Sequence, residues 1–296
     1  METNPPQVEP TVAESRIPVR KRRWRPARAE PGMLGLGLLA GPANVIMQLG
    51  RPGVGYGVLE SRVQSGRVDK HPVKRARTTF TYLAVSTDGT EQQKAAFRRA
   101  VNRAHAQVFS TEDSPVEYNA FDKSLQLWVG ACLYKGTVDV QRVFGGELDE
   151  ATADRLYAQG RALATMLQVP EEMWPADRAA FDRYWQESLD QVHIDDTVRE
   201  YLYPIAVSRV RGNRVPPRIA RRTEGLAQLI TTGFLPQRFR DEMRLPWGPE
   251  EQRRFDRLTK VLRGVTKVSP RFVREFPFNV LLKDLDWRIR TGRPLV

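Results

Sequence analysis

His105 is one of three histidines in a chain of 296 residues, and its spacing sets it apart. Phe97 lies eight positions before it, Val101 four before and Val108 three after. On a helix from Gln92 to Val108 these side chains share one apolar stripe, while Arg98, Arg99 and Arg103 fall on the other side. An imidazole taken out of water without a hydrogen-bond partner costs about 1–3 kcal/mol, so something has to meet its nitrogen. A backbone carbonyl would make it a structural core histidine; a metal would make it a ligand. A lone histidine with no second ligand at metal spacing suits haem, where the porphyrin supplies four further donors. A second cluster lies upstream. Arg75 and Thr79 are four apart and Tyr82 is seven from Arg75, which puts all three on one helix face. A guanidinium, a hydroxyl and a phenol in a row form either a solvated polar face or a polar patch over a cofactor, with Arg75 as the donor.

Other chemistries lack their signatures. There is no H-E-x-x-H, C-x-x-C, Walker loop or G-x-S-x-G in the chain. Gly35, Gly37 and Ala40 imitate a dinucleotide-binding pattern, but no strand pattern precedes them and Pro42 follows, so close helix packing explains them better. Gly53, Gly55 and Gly57 read as a turn between helices. The single cysteine, Cys132, excludes an intrachain disulfide. It shares a stripe with Trp128 and Val129 and reads as a small buried hydrophobe, with a thiolate haem ligand as the alternative. His71 and His193 read as segment-boundary residues.

The elements that must position these residues are helical. Apolar stripes of helical period recur at Leu125, Trp128, Val129, Cys132 and Leu133, and at Leu156, Gly160, Leu163 and Leu167. Two more are Phe181, Tyr184, Trp185 and Leu189, and Phe255, Leu258, Val261, Leu262 and Val265. Asp122 and Asp149 sit where helix caps belong, and Pro249 at a first turn. Alternating strand patterns are scarce and no internal repeat occurs, so the fold class is all-α with a single helical domain. Residues 1–31 read as a basic, disordered arm, 32–280 as the helical domain and 281–296 as a C-terminal tail. Between Arg16 and Arg28 the arm carries seven basic residues, against four acidic ones in its first thirty positions. The formal net charge of +12 raises nucleic acid or an anionic membrane as partners. No nucleic-acid motif accompanies the arm or the basic loop around Arg209 to Arg222, so nucleic acid is set aside and peripheral contact with an anionic membrane is kept. Residues 33–49 are the most apolar stretch and imitate a signal or a short anchor. Pro42, Asn44 and Gln48 interrupt it, and a buried first helix is the preferred reading, with a cytoplasmic, membrane-associated location.

The order of several segments resembles one family. GPANVIMQLGRPGVGYGV (Gly41 to Val58), RARTTFTYL (Arg75 to Leu83), VNRAHAQV (Val101 to Val108) and YNAFDKSLQLWVGACL (Tyr118 to Leu133) are followed by LQVPEEMWP and FLPQRFRDEMRLPW. This succession is similar to the oxygenases that include the latex-clearing rubber oxygenases and MpaB. The resemblance implies a globin-like core binding haem b, with His105 as its axial ligand and dioxygen as co-substrate. It implies distal roles for Arg75 and Thr79, and a base at Glu60. Where the rubber oxygenases carry a lysine before that threonine this chain has Thr78, and a family histidine is replaced by Arg51. The implied function is a haem b-dependent oxygenase acting on an apolar, isoprenoid or unsaturated, lipid-like small molecule. The rivals are a non-catalytic haem carrier or gas sensor, and a haem-free helical ligand-binding protein.

Overall fold

A computed structural model describes residues 35–63, 72–209 and 217–296. The expectations for the arm, for His71 and for the middle of the basic loop lie outside these residues. The described residues form one all-α domain of thirteen α-helices; their only β feature is an isolated bridge between Phe109 and Asn119.

The apolar stretch at the start folds inward. A 3-10 turn, Gly35–Ala40, leads into α1, Gly41–Leu49, which buries Ala43, Ile46, Met47 and Leu49. Among the described residues no helix is long and apolar enough to cross a membrane. The glycines expected to mark a turn lie inside α2, Pro52–Leu59. A Cβ on Gly55 would come within 2.7 Å of the Leu49 carbonyl oxygen, so close packing on α1 overrides the poor helix propensity of glycine.

Two helices carry the candidate chemistry: α3, Pro72–Asp88, and α4, Glu91–His105. A capping box between Thr90 and Gln93 starts α4. The helix ends at His105, three residues before the expected end, and Val108 belongs to the loop that follows.

Helix α5, Lys123–Val140, runs through the core and is started by Asp122, whose carboxylate accepts from the Ser124 and Leu125 amides. Trp128 is fully buried, stacks on Trp185 at 5.2 Å and donates to the Gln48 carbonyl. After a short π-helical turn, Gln141–Gly145, Asp149 caps α6, Glu150–Thr165, as the sequence indicated. Helices α5 and α6 approach closely: a Cβ on Gly130 would lie 2.7 Å from the Ala164 Cα, and one on Gly160 would lie 2.5 Å from the Tyr134 ring. The chain continues through α7, Arg178–Leu189, which buries Phe181 and Trp185, and α8, Asp196–Ala206. Then come α9, Pro217–Phe234, α10, Gln237–Glu242, and α11, Pro249–Val268.

Two expectations need correction. In α11 only part of the expected apolar stripe faces inward: Phe255 is buried, but Val261 and Val265 are exposed. Thr259 and Thr266 take buried places, each donating its hydroxyl to the carbonyl four residues back, so neither brings an unsatisfied group inside. The second concerns 281–296, expected as a tail. After the short α12, Arg271–Arg274, most of that stretch lies in α13, Phe278–Thr291. Leu281 and Leu285, four apart, are buried as α13 packs on α3, and Gln93 of α4 donates to Asp286.

Replacing Gly130 by alanine forces a methyl against the Ala164 backbone, which has no side-chain freedom to yield. Gly130→Ala is expected to lose about 1–3 kcal/mol, measured by urea unfolding, although alanine is the better helix former.

Candidate active site

Helices α2 to α5 and the end of α6 enclose a cavity of about 250 Å³. Its walls are mainly apolar, including Val54, Phe97, Val101, Leu125 and Leu133. His105, Arg75, Thr79 and Tyr82 all line it, so the two clusters read separately from the sequence meet in one space.

Each of these side chains has an identifiable support. Phe97 and Val101 hold the stripe of α4 against the core, with Phe97 fully buried. Gln168 donates to Asn102 on α4 and accepts from Gln126 on α5, both at 2.7 Å, which ties the end of α4 to its neighbours. Beyond His105 the chain doubles back: the Ala120 amide donates to the Val108 carbonyl and the Ser110 amide to the Tyr118 carbonyl. This loop brings Tyr118, Asn119 and Ala120 to the cavity wall and sets Phe121 edge-on to the His105 ring. On α3, the Tyr82 hydroxyl donates to the Leu163 carbonyl, fixing the helix to α6. Burial raises the Tyr82 pKa, so it stays a neutral donor. Thr78, at the family's lysine position, also lines the cavity and gives its hydroxyl proton to the Lys74 carbonyl at 3.0 Å.

The electrostatics are unusual for an apolar cavity. Burial, and then the Arg75 charge, hold the His105 imidazole down at about 4, so it is neutral at pH 7. Its Nδ1 is buried and makes no hydrogen bond. Arg75 is itself withdrawn from water, which lowers its pKa, and no carboxylate pairs with it among the described residues. An unpartnered imidazole nitrogen beside a guanidinium with no carboxylate partner among the described residues, inside apolar walls, leaves room for a ligand that offers a metal to the one and an acidic group to the other. Among the described residues no three His, Cys, Asp or Glu side chains gather to hold a metal by themselves.

Glu60 is placed elsewhere. It lines a neighbouring cavity of about 210 Å³, and its carboxylate accepts from Ser114 at 2.6 Å and Tyr118 at 2.7 Å. Tyr118 borders both cavities, and burial and the Glu60 bond push its hydroxyl up to about 12. Cys132 is fully buried outside both cavities, with its thiol pKa raised by burial, as a small hydrophobe would be. The His193 side chain is 69% exposed. Arg51 donates to Gln191 and lies over the Trp128 ring, away from the cavity. Tyr118 and Gln126 are wall residues that sequence reasoning did not single out, because nothing in their local spacing distinguishes them from ordinary helix-end and loop positions.

The chain belongs to the family described as "ER-bound oxygenase mpaB/B'/Rubber oxygenase, catalytic domain", whose model matches residues 29–264. Uncharacterized proteins of Mycobacterium tuberculosis and Mycobacterium bovis are each 52% identical to it over 260 residues, covering 88% of this chain and 100% of each relative. No solved structure matches it.

The depressed pKa of His105 has a consequence for the ligand-free protein. The folded state refuses a proton that the unfolded chain accepts near 6.5, so His105 costs nothing above that pH. Stability is lost as pH falls from about 6.5 towards 4, by at most about 3 kcal/mol. His105→Leu should flatten that part of the stability–pH curve, as followed by denaturant unfolding at each pH.

Proposed function

We propose that the protein is a haem b-dependent oxygenase that uses dioxygen on an apolar, unsaturated or isoprenoid-like substrate. The observation that carries this reading is His105: a neutral imidazole with an unpartnered buried nitrogen, sharing an apolar cavity with Arg75. When bound, haem supplies the oxygen chemistry that side chains lack. His105 would hold the haem iron through its imidazole, kept ready for coordination because burial denies it a proton. Arg75 keeps its positive charge at any working pH and can stabilise negative charge that develops in the cavity without giving up a proton. Thr79, one turn along the same wall, can orient Arg75 or a water molecule. The valine, leucine and phenylalanine walls favour an apolar substrate. Glu60 enters this reading only through Tyr118, whose hydroxyl it holds.

Absorption spectra of the purified protein, oxidised, reduced and with carbon monoxide, test the proposal. The expected result is a haem spectrum that His105→Ala abolishes and His193→Ala leaves intact. Full haem content with an unchanged spectrum in His105→Ala rules the assignment out. Arg75→Ala should keep haem but shift the carbon monoxide stretching frequency and lower substrate-dependent dioxygen consumption about 100- to 1000-fold. Loss of haem in that variant would place Arg75 on a haem carboxylate instead. Haem retention without any dioxygen consumption would favour the carrier or sensor reading.

A further inference from the structure

The cavity leaves one large feature of the surface unexplained. Thirteen large apolar side chains are exposed among the described residues, and eight of them lie between Val261 and Trp287, on α11, α12, α13 and the turn between the last two. Val261, Val265 and Val268 follow one another at helical spacing on the outer side of α11. Phe272 and Phe276 come next, 69% and 60% exposed. Val280 and Trp287, seven apart, continue along the outer side of α13, whose inner side holds Phe278, Leu281 and Leu285. The Asn279 side chain donates to the Phe272 carbonyl at 2.8 Å, which fastens the start of α13 to α12 beside Phe272, Phe276 and Val280.

The same stretch is strongly basic. From Lys260 to Arg293 there are nine lysines and arginines against three acidic residues. All three acids are engaged: Glu275 by Arg271, Asp284 by Arg77 and Arg288, and Asp286 by Gln93. Lys260, Lys267 and Lys283 are exposed and have no carboxylate partner among the described residues. Arg293 lies 4.3 Å from the centre of the Trp287 ring, a pairing of aromatic body and cationic head suited to a boundary between oil and water.

We propose that this face docks on the surface of an anionic lipid bilayer, with the phenylalanines, valines and Trp287 entering the headgroup boundary and the lysines and arginines meeting lipid phosphates. Exposed apolar side chains interspersed along the same stretch with unpaired cations match a surface that is apolar beneath and negative above. A second copy of the chain matches it poorly, because its own face would set unpaired positive charge against positive charge. Docking this way needs no spanning helix. It would place the bilayer against the outer side of α13, whose inner side packs on the helix bearing Arg75 and Thr79. The proposal stands whether or not the cavity binds haem.

Co-sedimentation of the full chain with vesicles of phosphatidylcholine, with and without phosphatidylglycerol, tests it. The protein should bind the phosphatidylglycerol vesicles, and less so as salt is raised. The pair Phe272→Ser and Phe276→Ser, and separately the pair Lys267→Glu and Lys283→Glu, should each weaken binding by at least about tenfold with melting temperatures unchanged. Val268→Ser, at the most exposed of these positions, repeats the test should either pair fold poorly. Equal vesicle binding by the parent and the serine variants overturns the proposal, and so does a parent that binds no vesicle. A parent dimer in sedimentation velocity that the serine pair dissociates would also overturn it, by giving the face to a second copy.

Discussion

A guanidinium and an imidazole withdrawn from water into the same apolar space is the constraint around which the rest of this structure is arranged. Burial resists the charged form of both groups, and the Arg75 charge further resists protonation of His105. The imidazole yields and becomes neutral, because its ordinary pKa is close enough to neutrality to be moved; the guanidinium is far harder to discharge. The cavity is thereby left with one fixed positive charge and one free lone pair. These are what a cofactor bearing a metal and acidic groups would satisfy.

Holding such a site open requires a surrounding fold that does not collapse into it. The contact of α5 with α6 through Gly130 and Gly160 brings the two helices close enough for Ala164 and Leu133 to wall the cavity. Trp128, stacked on Trp185 and bonded to the Gln48 carbonyl, anchors α5 on its other side to α1. The run from Asn102 through Gln168 to Gln126 then fixes the last turn of α4. His105 is thus oriented by packing and hydrogen bonds at its neighbours, not by a partner on its own ring, which leaves that ring free to serve a ligand.

A second, more polar cavity adjoins the apolar chamber and shares Tyr118 and Val108 with it. Glu60 accepts from both Ser114 and Tyr118, and Tyr118 also lines the His105 cavity. The Glu60 carboxylate is committed to two hydrogen bonds and does not line the larger chamber. The proximity of Glu60 to the cavity in the chain therefore does not translate into access to it.

Much of this was legible in the amino-acid order. Helical period marked the stripes of α5, α6 and α7, aspartates marked the starts of α5 and α6, and the Arg75, Thr79, Tyr82 face and the His105 stripe were visible as local spacing. Such features depend on residues within a few turns of one another, so the chain alone determines them. What the chain could not show was contact between distant segments. That the two polar faces meet in one cavity, that Glu60 is turned away from it, and that α2 stays helical through three glycines all depend on what packs against them. The inward turn of Thr259 and Thr266 on α11 has the same origin. A valine and a threonine occupy nearly the same shape, and only the neighbouring helix decides which of them is covered. For the same reason Val261 and Val265 of α11, which read from sequence as part of a core stripe, lie at the surface, while Leu281 and Leu285, in a stretch that read as a tail, are buried.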